Sequence, residues 1–324
     1  MASKKAKRTW LIIGILVVIV GLWATALAIS AFSEGFSGGY AAGAGEFEEI
    51  LLEEGDSTNK IAMINVIGEI FSDPEGGALG ATDFNILGQL DQAVDDPDVI
   101  GIILNVDTPG GGVLASDAIY NRVADIAEDM PVIALMGDTA ASGGYYISAG
   151  ATEIIAHRFT WTGSIGVIAM IPNLSEAAGK LGIGMTVVKS GALKDLGSPF
   201  REMTEQERGL FQTLIDEAYT GFVQVVSEGR DLPEARVREI ADGRIYSGLQ
   251  ARELGLVDRL GDRETAFNRA RRLADDEDAS LVVYQPVVGL FDELPFLGFS
   301  STAEELKEEL GIARKPGAAY LWIP

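Results

Sequence analysis

The 324-residue chain contains no cysteine and a single histidine, His157. Without cysteine there is no disulfide and no thiolate metal site, and we expect neither a metal nor another cofactor. A Ser-His-Asp triad would have to use His157, because the chain offers no other imidazole. Basic residues are also scarce, 25 against 48 acidic ones, which makes the formal net charge −23. A surface of that sign repels phosphates, so we expect no nucleic-acid partner.

Residues 10–32 form one uncharged apolar run, WLIIGILVVIVGLWATALAISAF. The run is long enough for a helix to cross a hydrocarbon core of about 30 Å. Residues 1–9 before it are basic and carry Lys4, Lys5, Lys7 and Arg8. By the positive-inside rule, this predicts a single-pass anchor in the cytoplasmic membrane, with the N-terminus inside and the rest outside. The alternative is a signal peptide that is cleaved near the small residues at 26–28.

The remainder of the chain divides by composition into three parts. Residues 33–58 are rich in Gly and Ala and then acidic, which predicts a flexible linker. Residues 59–285 suit one domain. The tail, residues 286–324, has apolar patches and a short charged stretch. It either contacts a partner or the membrane, or packs as a strap on the domain or on a neighbour.

From residue 59 onward, short apolar runs alternate with amphipathic ones. The pattern predicts helices at 83–94, 113–126, 143–149 and 205–228, and strands at 60–70, 99–106, 132–136, 153–156, 165–170 and 185–189. Continuous apolar strands separated by helices are typical of an α/β fold with a mainly parallel sheet. Sites in such folds gather beyond the carboxyl ends of the strands. Three glycine-rich loops are predicted there, at 108–112, 140–144 and 162–164.

Ser142 and Lys194 are the candidate catalytic pair. Ser142 lies among small residues in DTAASGGYY, a context that lets a strand turn sharply into a helix. A serine hydroxyl needs a base to take its proton. A lysine acts as that base only when neutral, a form that burial favours. Lys194 lies in the glycine-flanked segment KSGALKD, and Lys189 and Lys180 are the other candidates.

Four motifs in order carry a resemblance to a known family: DTPGG at 107–111, ASGGYY at 141–146, TGSIGV at 162–167 and SGALKD at 190–195. Together they resemble signal peptide peptidase A, a family of membrane-bound serine proteases. Its fold is shared with the Clp protease subunit and the crotonases, a repeated ββα-type domain. The resemblance covers roughly residues 60–261 and is greatest to short, single-repeat members. Thr108 is a mild departure, because family members more often have serine there.

The resemblance implies a role for each site residue. Ser142 becomes the nucleophile and Lys194 its general base, and Ser164 orients the lysine amine. The backbone N–H groups of Gly111 and Gly143 form the oxyanion hole. His157 does not match, because the histidine of the Clp subunit follows its serine by about 25 residues, whereas His157 follows Ser142 by 15.

The resemblance also implies the activity and its setting. We expect a membrane-anchored serine endopeptidase that hydrolyses remnant signal peptides and other apolar peptides, with its catalytic domain outside the cytoplasmic membrane. In double-repeat relatives the serine and the lysine lie in different repeats, so a single-repeat chain implies a homo-oligomeric ring with shared sites. The alternatives are the membrane serine protease associated with stomatin-like partners, a crotonase-type acyl-CoA enzyme and a catalytically inactive scaffold.

Overall fold

The computed structural model describes residues 47–73, 80–286 and 319–321. The basic segment at 1–9, the predicted anchor at 10–32 and most of the tail lie outside these ranges. None of the helices within them combines the length and the apolar character that a membrane crossing requires.

Eleven strands and eight helices lie in the described ranges. The strands are β1 (Phe47–Glu53), β2 (Lys60–Ile67), β3 (Val99–Thr108), β4 (Gly110–Gly112), β5 (Val132–Ala141), β6 (Glu153–Ala156), β7 (Trp161–Gly163), β8 (Ile245–Ser247), β9 (Arg259–Leu260), β10 (Ser280–Pro286) and β11 (Ala319–Leu321). The helices are α1 (Asp83–Asp95), α2 (Val113–Asp129), α3 (Gly143–Ser148), α4 (Ser175–Lys180), α5 (Glu205–Arg230), α6 (Glu234–Ile240), α7 (Gly248–Glu253) and α8 (Arg263–Leu273).

The main sheet has the strand order β1-β10-β2-β3-β5-β6-β9, and β7 pairs with both β5 and β8. All pairs from β10 to β9 are parallel, as is β5 with β7, whereas β1–β10 and β7–β8 are antiparallel. The predicted α/β class with a mainly parallel sheet is therefore confirmed. β3 and β5 lie at its centre, and their carboxyl ends carry the loops at 108–112 and 140–144.

Alternate residues of the central strands pack on opposite faces of the sheet, as the period of two in a strand requires. On one face Ile102 and Leu104 pack in a cluster with side chains of α1, α2, α3 and α5. On the other face Ile103 and Ile133 pack against α8 through Phe267. Helices therefore cover both faces, and this burial fixes the strand ends that carry the site.

Three predicted segments differ from the structure. Residues 47–53 of the predicted flexible linker form β1, because they pair with β10 in register from Phe47 opposite Pro286. The runs at 165–170 and 185–189 do not form strands of the sheet. Their apolar side chains instead include several exposed ones: Ile168, Met170, Met185, Val187 and Val188.

Candidate active site

Ser142 occupies a strained turn between β5 and α3. Its φ of 55° and ψ of −116° are unusual for a residue with a side chain. The backbone is held on both sides: its N–H donates to the Gly163 carbonyl at 2.8 Å, and its carbonyl accepts from the Tyr146 N–H at 2.9 Å. A sharp strand-to-helix turn of this kind places a serine hydroxyl at the end of the sheet, where it can act as a nucleophile.

The Ser142 side chain is buried but has no hydrogen-bond partner among the described residues. The residue is 1% exposed, and its Oγ makes no hydrogen bond within the described part of the chain. Buried hydroxyls are nearly always paired, so an unpaired one calls for an explanation such as a catalytic role. Here the unpaired atom is the predicted nucleophile.

Gly111 and Gly143 bring two backbone segments together beside Ser142. A Cβ atom on Gly143 would lie 3.2 Å from the Gly111 nitrogen and 2.5 Å from Ser116 Oγ. A Cβ on Gly111 would lie 1.8 Å from the Ile70 carbonyl oxygen. Only glycine fits at either position, because any side chain would force these segments apart. The two glycines thus lie against each other, which a pair of oxyanion donors from these residues requires.

Ser116 was not among the predicted site residues. It lies in the first turn of α2, is fully buried, and its Oγ has no partner among the described residues. Its Oγ lies close to Gly143. This contact depends on how α2 packs on α3. No motif around position 116 could have indicated this contact.

The departure at Thr108 preserves the geometry of the loop. Thr108 Oγ1 accepts a hydrogen bond from the Gly110 N–H at 3.0 Å, which closes the turn before Gly111. The Asp107 carboxylate accepts from the Thr139 N–H at 3.0 Å and joins this loop to β5. A serine or a threonine can supply the hydroxyl, so the substitution leaves the loop intact.

Ser164 is linked to Ser142 through Gly163, the residue that precedes it. It follows Gly163, whose carbonyl accepts from Ser142, and its own N–H donates to the Arg244 carbonyl at 2.8 Å. Ser164 is 6% exposed and has a φ of 50°, a second strained serine at this edge of the sheet. The structure therefore brings Ser142, Ser164, Gly111 and Gly143 into one site.

Lys194 is not among the residues that contact this site. Its N–H donates to the Gly191 carbonyl at 3.1 Å within an exposed turn. Its ammonium has no hydrogen-bond or ion-pair partner in the described ranges. Within the described ranges, the side chains of Ser142 and Lys194 are thus both without a partner.

His157 does not fill the place of the base. It is exposed at the end of β6, where its Nδ1 accepts from the Phe159 N–H at 3.4 Å and its ring lies 5.5 Å from that of Phe159. No contact between His157 and Ser142 is present. Among residues 47–73, 80–286 and 319–321, no group of acidic or histidine side chains is arranged to hold a metal ion.

An extended segment of the chain itself lies against the oxyanion strand. β11 pairs antiparallel with β4, with Tyr320 opposite Gly111 and Leu321 opposite Gly110. It also approaches α2 and α3, the helices that follow the two glycine loops. The edge of β4 therefore accepts a peptide in the extended conformation.

Comparison with known proteins agrees with this geometry. Residues 124–276 match the profile of Peptidase family S49. A protein from Enterococcus faecium that carries the name signal peptide peptidase SppA is 41% identical over 247 residues, which cover 75% of this chain and 72% of that protein. The chain belongs to peptidase family S49. The resemblance to signal peptide peptidase A is thereby confirmed, and this S49 member is a serine peptidase.

Two further relatives show how the lengths compare. A protein from Methanocaldococcus jannaschii that is named as a protease is 36% identical over 250 residues, 74% of this chain and 79% of its own length. Protease 4 of Haemophilus influenzae is 33% identical over 307 residues, which cover 86% of this chain but 50% of that protein. The S49 chain thus aligns with most of the shorter relative and with half of the longer one.

Proposed function

We propose that this S49 peptidase hydrolyses peptides with a catalytic dyad of Ser142 and Lys194. The observation that carries the proposal is the buried, unpaired Ser142 hydroxyl, held in a strained turn beside the backbone nitrogens of Gly111 and Gly143. His157 is exposed and engaged with Phe159, so Lys194 is the better candidate for the base.

We propose the following chemistry for these residues. The neutral Lys194 amine takes the proton of Ser142 as Oγ attacks the carbonyl carbon of the scissile peptide bond. The oxyanion that forms accepts hydrogen bonds from Gly111 and Gly143. The Lys194 ammonium then gives its proton to the leaving amine, and a water molecule, activated by the same amine, hydrolyses the acyl-enzyme. Ser164 orients the lysine amine.

β11 supports the mode of peptide binding. Ile70 already bonds the Gly110 carbonyl and the Gly112 N–H, so a substrate that adds a strand to β4 would pair with Gly111, as Tyr320 does, and would bring its own carbonyl to the oxyanion donors. Recognition by backbone pairing tolerates many side chains, which suits an enzyme that clears varied peptides. β11 lies in the place of such a substrate.

We propose further that the lysine comes from a neighbouring copy of the chain. The segment that carries it, residues 165–204, is called here the lysine segment. It contains many exposed large apolar side chains: Ile168, Met170, Leu174, Leu181, Ile183, Met185, Val187, Val188, Leu193 and Phe200. So many exposed large apolar side chains within one segment are typical of an interface between chains. Burial there would also favour the neutral amine.

Contacts in which one chain gives its serine side and the next its lysine side are heterologous. Such contacts close into a ring when the rotation between copies allows it. We therefore propose a homo-oligomeric ring in which every active site is shared by two neighbours.

The setting and the substrates complete the proposal. The apolar run at 10–32 anchors the enzyme in the cytoplasmic membrane, with the catalytic domain outside. Tethering at the bilayer raises the effective concentration of the protease near membrane-held peptides, such as remnants of signal peptides.

The orientation is tested by adding a protease to intact spheroplasts, which should digest the domain beyond residue 32. Protection until lysis would overturn this orientation.

The test of the dyad compares Ser142→Ala, Lys194→Ala and the control His157→Ala in the full chain. We expect peptide hydrolysis and fluorophosphonate labelling to be lost in Ser142→Ala. Hydrolysis should also be lost in Lys194→Ala, because the two residues act as one unit. His157→Ala should keep wild-type rates. Loss in His157→Ala together with activity in Lys194→Ala would show that the dyad is wrong.

A further inference from the structure

A network of four charged side chains lies beside Lys194. Arg201 holds Asp195 by two hydrogen bonds, from Nε to Oδ2 at 3.0 Å and from Nη2 to Oδ1 at 2.9 Å. The same guanidinium holds Glu207, from Nη1 to Oε2 at 2.8 Å and by a second bond from Nη2 to Oε1. Lys189 donates to Asp195 Oδ1 at 2.6 Å. Two cations and two anions thus balance each other.

The network connects the turn that carries Lys194 to the first turn of α5. On one side, Lys189 Nζ donates to the Ala192 carbonyl at 2.9 Å and Arg201 Nη2 donates to the Asp195 carbonyl at 3.1 Å. The backbone is therefore held before and after Lys194.

On the other side of the network, Glu207 is 2% exposed and forms a capping box with Thr204. Its Oε2 accepts from the Thr204 N–H at 2.9 Å, and its N–H donates to Thr204 Oγ1 at 3.2 Å. The start of α5 thus holds Glu207 in place, and Arg201 links Glu207 to Asp195 by hydrogen bonds.

The lysine segment has little other regular structure to hold it. Within the described residues its one helix is the short α4, and it contains no strand of the sheet. Most exposed ion pairs contribute little to stability. This one differs, because both carboxylates are largely shielded, at 13% and 2% side-chain exposure, and Arg201 binds Asp195 in a bidentate fork.

We propose that Arg201 is a positioning residue for the dyad: by joining Asp195 to Glu207, it holds the turn in which Lys194 meets the serine. The inference rests on the proposed role of Lys194. A planar guanidinium with five donors can bind each of two carboxylates through two bonds, which the three donors of a lysine cannot do. Arg201 and Lys189 also neutralise the Asp195 carboxylate, which follows Lys194 directly in the chain.

The pKa values of the two acids agree with firm pairing. The hydrogen bonds from Arg201, and then from Lys189, hold the pKa of Asp195 well below its ordinary value. The hydrogen bond from Arg201 and the backbone bond from Thr204 lower the pKa of Glu207 to about 2. Both acids therefore remain ionised at any pH at which a lysine base could work.

The test compares Arg201→Ala and Arg201→Lys with the control Arg208→Ala. Arg208 lies in the first turns of α5 and makes only a 3.8 Å exposed ion pair with Glu205, so its loss removes the same charge without the network. We expect kcat to fall by roughly tenfold to a hundredfold in Arg201→Ala with little change in KM, because misplaced catalytic groups cost about that much. The kcat of Arg201→Lys should lie between those of the wild type and Arg201→Ala. Added guanidinium should restore part of kcat in Arg201→Ala.

Each outcome decides the matter. The proposal is overturned by a kcat within twofold of wild type in Arg201→Ala, or by an equal loss in Arg208→Ala. A loss that guanidinium cannot restore and that tracks a fall in Tm would overturn it too. If Arg201→Ala does not fold, Asp195→Asn tests the same link. Lys194→Ala is measured in parallel: activity there would reject the dyad itself, whereas its inactivity beside a fully active Arg201→Ala would reject only the positioning role.

Discussion

Residues 140–149 around Ser142, called here the nucleophile side, and the lysine segment of this peptidase are built in opposite ways. Around Ser142, residues 140–149 are all buried, and the turn is fixed by main-chain bonds and by the sheet. In the lysine segment large apolar side chains are exposed, and a charged network replaces the core. A single chain thus brings Ser142 together with Gly111 and Gly143. It leaves Lys194, the proposed base, on an exposed surface that a second chain would cover in the proposed ring.

The two sides also differ in the forces that hold them. Tyr145 donates to the Leu256 carbonyl at 2.9 Å, and the ring of Tyr146 packs 5.0 Å from that of Phe222, so α3 is fixed by burial. Burial of apolar surface responds little to pH or salt, whereas ion pairs respond to both. Changes of solution conditions should therefore act first on the lysine segment.

The largest expected effect is the recovery of activity when the intact serine and the intact lysine are supplied by different chains. Ser142→Ala and Lys194→Ala chains should each be inactive, and mixing them under exchange conditions should restore hydrolysis. In a randomly mixed ring, about a quarter of the interfaces would pair an intact serine with an intact lysine. Rates are measured against a wild-type ring of equal concentration. If native mass spectrometry shows mixed rings and no activity returns, each chain must carry its own dyad.

A substitution on the nucleophile side should have the next largest effect. Gly143→Ala would place a Cβ 2.5 Å from Ser116 Oγ and 3.2 Å from the Gly111 nitrogen. The displaced N–H should lower kcat by about 10²- to 10³-fold, as for the loss of one oxyanion donor. Steady-state kinetics with a peptide substrate measure the fall.

Two controls test whether crowding is the cause. The double variant Gly143→Ala with Ser116→Ala removes one crowded atom and should recover part of kcat. Gly221→Ala in α5 adds a Cβ that meets nothing within 4 Å, so it should keep full activity and raise the stability by about 0.5–1 kcal/mol. A normal kcat in Gly143→Ala would contradict the role of its N–H.

The sequence predicted the nucleophile side better than the lysine segment. The helix α3, which follows Ser142, was predicted within one residue of its observed end, and the nearby β6 with its observed ends, because their patterns are local. β1 was predicted to be part of a linker because its sequence is acidic. It forms a strand only because it pairs with β10, which is distant in the sequence. The runs at 165–170 and 185–189 have the apolar character of strands but no strand partner within the described chain. Pairing between distant segments leaves no local pattern to read.

Removal of β11 should have a smaller effect on the nucleophile side. A chain that ends after Ala318 lacks the segment paired with β4, so a peptide substrate no longer competes with it. We expect KM to fall several-fold with a smaller change in kcat, measured by steady-state kinetics. A chain that ends after Leu321 keeps β11 and is the matched control. A synthetic peptide with the sequence of β11 should inhibit the shorter chain competitively, and an unchanged KM would show that β11 does not occupy the substrate's place.

The smallest expected effect is a loosening of the lysine segment by acid. Asp195 and Glu207 both have pKa values below those of the unfolded chain, which are about 4, because Arg201 pairs with each of them. Groups of this kind stabilise the folded segment above the unfolded pKa and lose that effect as the pH falls towards the folded pKa. Between about pH 5 and pH 2 we therefore expect hydrogen-exchange protection to fall in residues 189–207 before it falls in β3 and β5. In Arg201→Ala the protection should already be low at pH 7 and should change little with acid, whereas Arg208→Ala should behave as the wild type. Protection that persists in residues 189–207 until the sheet itself unfolds would show that the core, and not the network, holds the lysine in place.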